Sequence, residues 1–550
     1  MKKFFRNGLI MLAAGALAVS CADYNVTDDF RAEPDPSFVE PYKDLGPVKS
    51  YINREQYPNL SLGATLKATD FNKQELAHAA AITNFDNVTF GTSLMSGTIV
   101  NSKGVMNFLD MSDLLDHVEE IGAEVFGSPI VANANQADEW LKYLTSPIEI
   151  PVDFVEGKTV NFNEMSIGDY TGTVEKGKAA IVKYDDQNVL RIGTAANVRI
   201  IEDFEVDPLA IYTVTFWAKA DKDITYNVNF SGNKVDGAYV NGKWQLKAGK
   251  WTKVVVESQS APDVTDGYFR IDNDKAGVMY IQKVQIGYMP DNHRPQTEEE
   301  VNDTIHHAIK AWCDGLMKIN KGRITSFDLI DEALDTKTLE SGLYDLKHST
   351  DKIFWQDIFG SENYAPVVSK AASEAFVKYE GDPSELLFFI SESGLEETKK
   401  IESLNYWIGV WEGNGAKIDG INAKVNLFYS ENPATQADNE ASLNTLLDNL
   451  AATGKLIRLS NFDIKYKDAE DKNVAAKDIT AEQRQKLADY YAKVIRSYMS
   501  KIPNEKQAGI CKGNMVDTND PVGLWAVDSK SKDWVRTATY KAFCDALSGE

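Results

Sequence analysis

"SFDLIDEAL", residues 326–334, sets two carboxylates, Asp331 and Glu332, directly behind the apolar run Phe327, Leu329 and Ile330. The run reads as a strand, and the acids fall where that strand opens into a loop. "EVNDTIHHAIKAWCDGLM" (300–317) before it and "APVVSKAASEAFVKY" (365–379) after it carry apolar residues at helical spacing. The same alternation recurs outward from this point. Strand-like runs are "LSLGATL" (60–66), "NVTF" (87–90), "EVFGSPIV" (124–131), "ITSFDLI" (324–330), "ELLFFI" (385–390), "GINAKVNL" (420–427), "KLIRLSNF" (455–462) and "AGIC" (508–511). Between them lie amphipathic stretches such as "SDLLDHVEEIG", "NEASLNTLLDNLAATG" and "AEQRQKLADYYAKVIRSYM". Eight such units predict the α/β class, as a parallel (β/α)8 TIM barrel.

Residues 150–289 have another texture. "YTVTFWAKA", "ITYNVNFSG", "KWTKVVVES", "GYFRIDND" and "VMYIQKVQIGY" are short runs with period-two alternation, parted by Gly, Asn and Asp clusters. This stretch predicts an all-β jelly-roll sandwich inserted after the third barrel strand, with the barrel divided between 55–149 and 290–550. Trp217, inside "TVTFWAKA", and Trp251 are expected in the sandwich core. Trp407 and Trp411, four apart on a helix, are expected in the barrel core.

The first residues stand outside both. "MKKFFRNGLIMLAAGALAVSC" has a basic start and a short apolar run ending in small residues, as a secretory signal does. Ala18-Val19-Ser20 before Cys21 resembles a bacterial lipobox, which implies a signal over 1–20, a lipidated Cys21 and a tether over 21–54. The expected location is the outer membrane at the cell surface, held by a lipid anchor. Loss of Lys2, Lys3 and Arg6 with the signal takes the formal charge from −24 to −27. No basic patch offsets this, so nucleic acid is not an expected partner. Cys313, Cys511 and Cys544 are too few and too far apart for a disulfide framework, and no Cys/His metal spacing occurs. Neither metal nor cofactor is expected.

The flanking segments resemble glycoside hydrolase family 10, the retaining endo-β-1,4-xylanases. "SFDLIDEAL" is similar to that family's fourth-strand motif W-D-V-V-N-E-A, and "IRLSNFDI" to its seventh-strand motif I-T-E-L-D-I. The family cleaves with two carboxylates about 5–5.5 Å apart, one an acid/base and the other a nucleophile. The resemblance puts Glu332 at the acid/base. It puts Asn461, an amide with no charge to attack with, at the nucleophile. The family's sugar-gripping positions correspond to Gly91, Thr92 and Met95, to Ala132 and Asn133, and to Lys424 and Asn426; Asn133 and Lys424 are retained as candidate sugar contacts.

The resemblance therefore implies a barrel that holds β-glycan without cutting it. Sugar binding needs aromatic faces and a few polar groups rather than a carboxylate pair. Tyr226, Tyr239, Trp244 and Tyr268 are the candidate platforms in the insert. The expected ligand is a xylan-like polysaccharide or oligosaccharide, and outer-membrane glycan-uptake proteins are possible partners. Two other readings stay open. One is a hydrolase that recruits Asp328, Asp331, Glu392 or Asp463 as its second carboxylate. The other is a scaffold within an uptake complex.

Overall fold

The structure is a computed structural model that describes residues 42–549 apart from 233–234, 240–243 and 264–265, with the side chains of 230–243 and 264–266 also outside it. Cys21, the apolar leader and the tether up to residue 41 lie outside the described residues. The chain divides into two compact units, one ending at Leu144 and resuming at Asn302, the other spanning Thr145–Val301.

The first unit is a closed parallel barrel. Its strands are β1 (Leu62–Thr65), β2 (Asn87–Thr89), β3 (Glu124–Gly127), β4 (Ser326–Asp331), β5 (Leu387–Ser393), β6 (Gly420–Lys424), β7 (Leu456–Ser460) and β8 (Gln507–Lys512). Each pairs in parallel with the next, and β8 returns to β1. Leu329, Ile330, Ile390, Ile421, Ile457 and Leu459 are fully buried, because a barrel strand faces side chains within and helices without. Two glycines make the packing possible. A Cβ on Gly127 would stand 2.2 Å from the Phe327 ring, and one on Gly420 2.2 Å from the Phe389 ring.

Helix ends follow local chemistry. Thr480 and Gln483 form a capping box at the start of Ala481–Lys501, and Asn432 caps Pro433–Ala452, whose first residue is proline. Trp407 and Trp411 are buried and stacked at 6.1 Å, as their spacing predicts. "EVFGSPIV" is not one strand: β3 stops at Gly127, and Val131–Ala132 pairs separately with the end of β4. "KLIRLSNF" also stops early, at Ser460, because Asn461 turns into the left-handed region.

The second unit, all-β, follows β3 and the helix Asp138–Leu144. It is wider than the β-rich stretch because Ile148–Glu149 pairs with His293–Arg294. Among the described residues it holds a seven-stranded and a six-stranded sheet, mostly of antiparallel neighbours. One core joins the two sheets, with Leu190, Val214, Phe216, Phe269, Ile271 and Ile281 at its centre. No helix among the described residues is long and apolar enough to cross a membrane.

Candidate active site

At the mouth of the barrel, β4 delivers Asp331 and then Glu332. Asp331 is in register with Ser391 of β5 and with Ala132. Glu332 leaves the strand at φ +53°, a conformation that costs a non-glycine residue of the order of 1 kcal/mol. Its N–H donates to the Ser391 carbonyl at 2.9 Å, and Lys347 Nζ donates to its own carbonyl at 2.7 Å. These two bonds hold the turned backbone.

The side chain of Glu332 enters a cluster of charges. Lys424, at the end of β6, forms an ion pair with Asp331 and lies 3.5 Å from Glu332 Oε1. Ser393 Oγ donates to Glu332 Oε2 at 3.1 Å, and Lys347 Nζ stands 3.9 Å from the same oxygen. Glu392 shares a hydrogen bond with Glu332. Glu392 itself is 0% exposed, lies 2.9 Å from Lys400, and accepts the Leu334 N–H at 3.2 Å.

The protons are distributed accordingly. Burial pushes the Glu332 carboxyl up, but the Glu392 hydrogen bond, Lys424, Ser393 and Lys400 together hold it below the usual carboxylate range. Burial, and then the Glu332 charge, push Glu392 up to about 7. The shared proton thus belongs to Glu392. Lys424 is itself held charged: burial would lower it, but Asp331 and Glu332 outweigh that and raise it. A glycosidase acid needs the reverse, a carboxyl kept protonated at working pH.

The other carboxylates are also engaged. Asp328 is buried inside the barrel, accepts both oxygens' bonds from Asn422 Nδ2 at 3.1 and 2.9 Å, and is pushed up to about 7, chiefly by burial. Asp463 forms an ion pair with Lys512, which is 0% exposed, and accepts Asn514 Nδ2 at 2.6 Å. Asn461, aligned with the nucleophile, leaves β7 at φ +53° just as Glu332 leaves β4, and its amide donates to the Val425 carbonyl at 3.3 Å. The strand ends before Asp463, so strand alternation no longer relates the two residues.

Glu392 and Asp328 have raised folded pKa values, so the stability they carry is present at low pH and lost as pH rises through about 7. Unfolding free energy should therefore fall between about pH 5 and pH 8. Denaturant titrations across that range should show the slope, and Glu392→Gln should flatten part of it. An equally steep decline in the variant would assign the titration elsewhere.

Of the candidate sugar contacts, Lys424 has its ammonium committed to Asp331 and Glu332. Asn133 accepts Gln356 Nε2 at 3.1 Å, while its own buried amide nitrogen has no protein partner among the described residues. Gly91 leaves open space where a longer side chain would stand. Lys347, Ser393, Lys400 and Lys512 were not legible as site residues; each is an ordinary polar residue in an unremarkable local pattern.

The insert's candidate platforms need correction. Tyr226 is 3% exposed and belongs to the sandwich core, because its strand turns it inward, so it presents no ring to a ligand. Trp244 is half-buried against the same core. Tyr268 carries the Arg199 guanidinium 3.9 Å above its ring, which covers that face. The side chain of Tyr239 lies outside the described residues. Trp217, expected inside, is 44% exposed, and Trp251 is half-buried rather than core.

Carboxylates gather at the carboxyl ends of the parallel strands, the end at which (β/α)8 barrels carry their sites. Residues 289–525 match the family model of Glycosyl hydrolase family 10. The chain is similar in fold to xylanase B from Clostridium stercorarium F9, at 10% identity and a TM-score of 0.52, covering 91% of this chain and 100% of that one. It is likewise similar to an endoxylanase of the same family retrieved from sugarcane soil metagenome, at 10% identity and a TM-score of 0.50, covering 92% and 100%. No curated protein matches the chain. The barrel shares its (β/α)8 fold with these structures.

Proposed function

We propose that this protein is a surface lipoprotein that binds a plant-type, xylan-like β-glycan and does not hydrolyse it. One observation carries the reading: the acid/base position holds a carboxylate that Glu392, Lys424 and their neighbours keep ionised against its burial, and the nucleophile position holds the amide of Asn461. A site with no protonated carboxyl at the acid/base position and no anion at the nucleophile's position retains shape and hydrogen-bonding groups, which suffice for binding. The lipobox-like run ahead of Cys21 supports anchoring through that residue, with glycan-uptake proteins of the outer membrane as partners.

Protein beginning at residue 22 should be retarded in native gels containing soluble xylan, relative to gels without it. In cells, Cys21→Ala should move the protein out of the membrane fraction. Equal mobility in both gels would overturn the binding role. Membrane retention of the Cys21 variant would overturn the anchor.

The second reading, a hydrolase with a rearranged site, draws on the proton-sharing pair Glu332 and Glu392. Glu392 is 0% exposed and committed to Lys400 and the Leu334 N–H, so it presents no carboxyl to a substrate beside Glu332. The binding reading is therefore favoured.

A further inference from the structure

Trp217 sits in the strand Ile211–Ala220, where Val214, Phe216 and Ala218 turn inward and are buried while Thr215, Trp217 and Lys219 turn outward. The strand Met279–Met289 beside it carries a bulge. Phe216 pairs with Val284 and Ala218 with Ile281, so Gln282 and Lys283 together oppose Trp217. A bulge of this kind re-aims side chains and breaks the flatness of a sheet. On the other side Trp217 pairs with Lys253.

One row along, an aromatic group continues the same face. Lys219 is in register with Tyr280, and its ammonium lies 4.8 Å from the Tyr184 ring and 5.9 Å from the Trp251 ring. Tyr184 meets Tyr280 at 4.6 Å and Trp251 at 6.1 Å. Asp185 lies 3.7 Å from Lys219, and Glu257 stands two rows from Lys253. Lys253 and Lys283 are exposed and make no ion pair among the described residues. An exposed indole flanked by two uncommitted ammonium groups is unusual on a chain with a formal charge of −24.

We infer that this face is the glycan-binding surface of the all-β unit, and that its ligand carries a carboxylate, as a uronic-acid-substituted β-glycan does. Trp217 stacks on a sugar ring, and Lys253 and Lys283 receive the acid group. The inference rests on the glycan-binding reading above. Charge complementarity selects the occupant: the indole offers an apolar face of one sugar's width, and its neighbours offer hydrogen bonds and positive charge. A protein partner would call for a continuous apolar patch instead.

The test uses the chain from residue 22 in affinity gels with glucuronoxylan, and with the same polymer after its uronic carboxyls are reduced to alcohols. Wild type should bind the native polymer at least about fivefold more tightly than the reduced one. Trp217→Ala should lose about tenfold or more on both, equivalent to about 1.4 kcal/mol or more. The Lys253→Ala/Lys283→Ala variant should lose only the preference for the native polymer. All variants should keep the wild-type far-UV circular dichroism and thermal midpoint, because the substituted side chains point outward.

Wild-type affinity in Trp217→Ala would overturn the assignment of this face while leaving the binding role intact. Equal affinity for native and reduced polymer would overturn the acidic ligand. A wild-type dimer that Trp217→Ala converts to monomer would make the face a contact between copies. Failure of the wild type on every xylan would remove the binding role itself.

Discussion

Soluble xylan incubated with this protein should yield no xylo-oligosaccharides, and Asn461→Glu should not restore their release. The variant returns a carboxylate to the nucleophile's position but leaves Glu332 ionised by Lys424 and relieved of its proton by Glu392. General acid catalysis is worth about 10²–10⁴ in rate, and loss of a nucleophile several further powers of ten at about 1.4 kcal/mol each. Restoring one of two missing functions keeps the product below the rate of a working enzyme by at least the first factor. The measurement is oligosaccharide release by chromatography over a long incubation. Steady release by wild type that vanishes in Glu332→Ala would establish a hydrolase and end the binding-only reading.

The second large effect belongs to stability. Asp463→Ala should cost about 3–5 kcal/mol, because it strands the ammonium of Lys512, 0% exposed at the end of β8, without its carboxylate. Burial already holds Lys512 below its usual pKa even with Asp463 beside it, so the uncompensated charge would be shed or would open the barrel end. Thermal unfolding should show a midpoint lower by roughly 4–7 °C. Asp463→Ala/Lys512→Met should recover most of the loss, since a well-packed apolar pair can replace a buried ion pair at little cost. An unchanged midpoint in the single variant would mean that water reaches Lys512. The same pair explains why Asp463 cannot stand in for a nucleophile: its charge is already spent on the barrel.

Much of the fold was legible along the chain. Strand and helix periods differ, so the eight βα units and the β-rich insert could be separated by pattern, and β1, β2 and β4–β8 lie where their apolar runs place them. The misplaced ends have local causes. β7 breaks at Asn461 because the backbone turns there, and apolar content does not reveal a turn made by a non-glycine residue at positive φ; β3 stops at Gly127, and its apolar run resumes as the separate pairing of Val131–Ala132. Trp217 was misread because "TVTFWAKA" is apolar at consecutive positions. Alternation decides the face instead: Phe216 and Ala218 are buried, so the indole between them turns outward.

The site divides along the same line. Sequence alone determined that position 461 offers no anion, since an amide carries no charge in any fold, and it determined that Glu332 stood at a strand end. Only the tertiary structure decided the state of Glu332. Lys424 is 92 residues away along the chain and Glu392 is 60, and a carboxyl's proton affinity depends on charges within a few ångströms in space, which chain order does not contain.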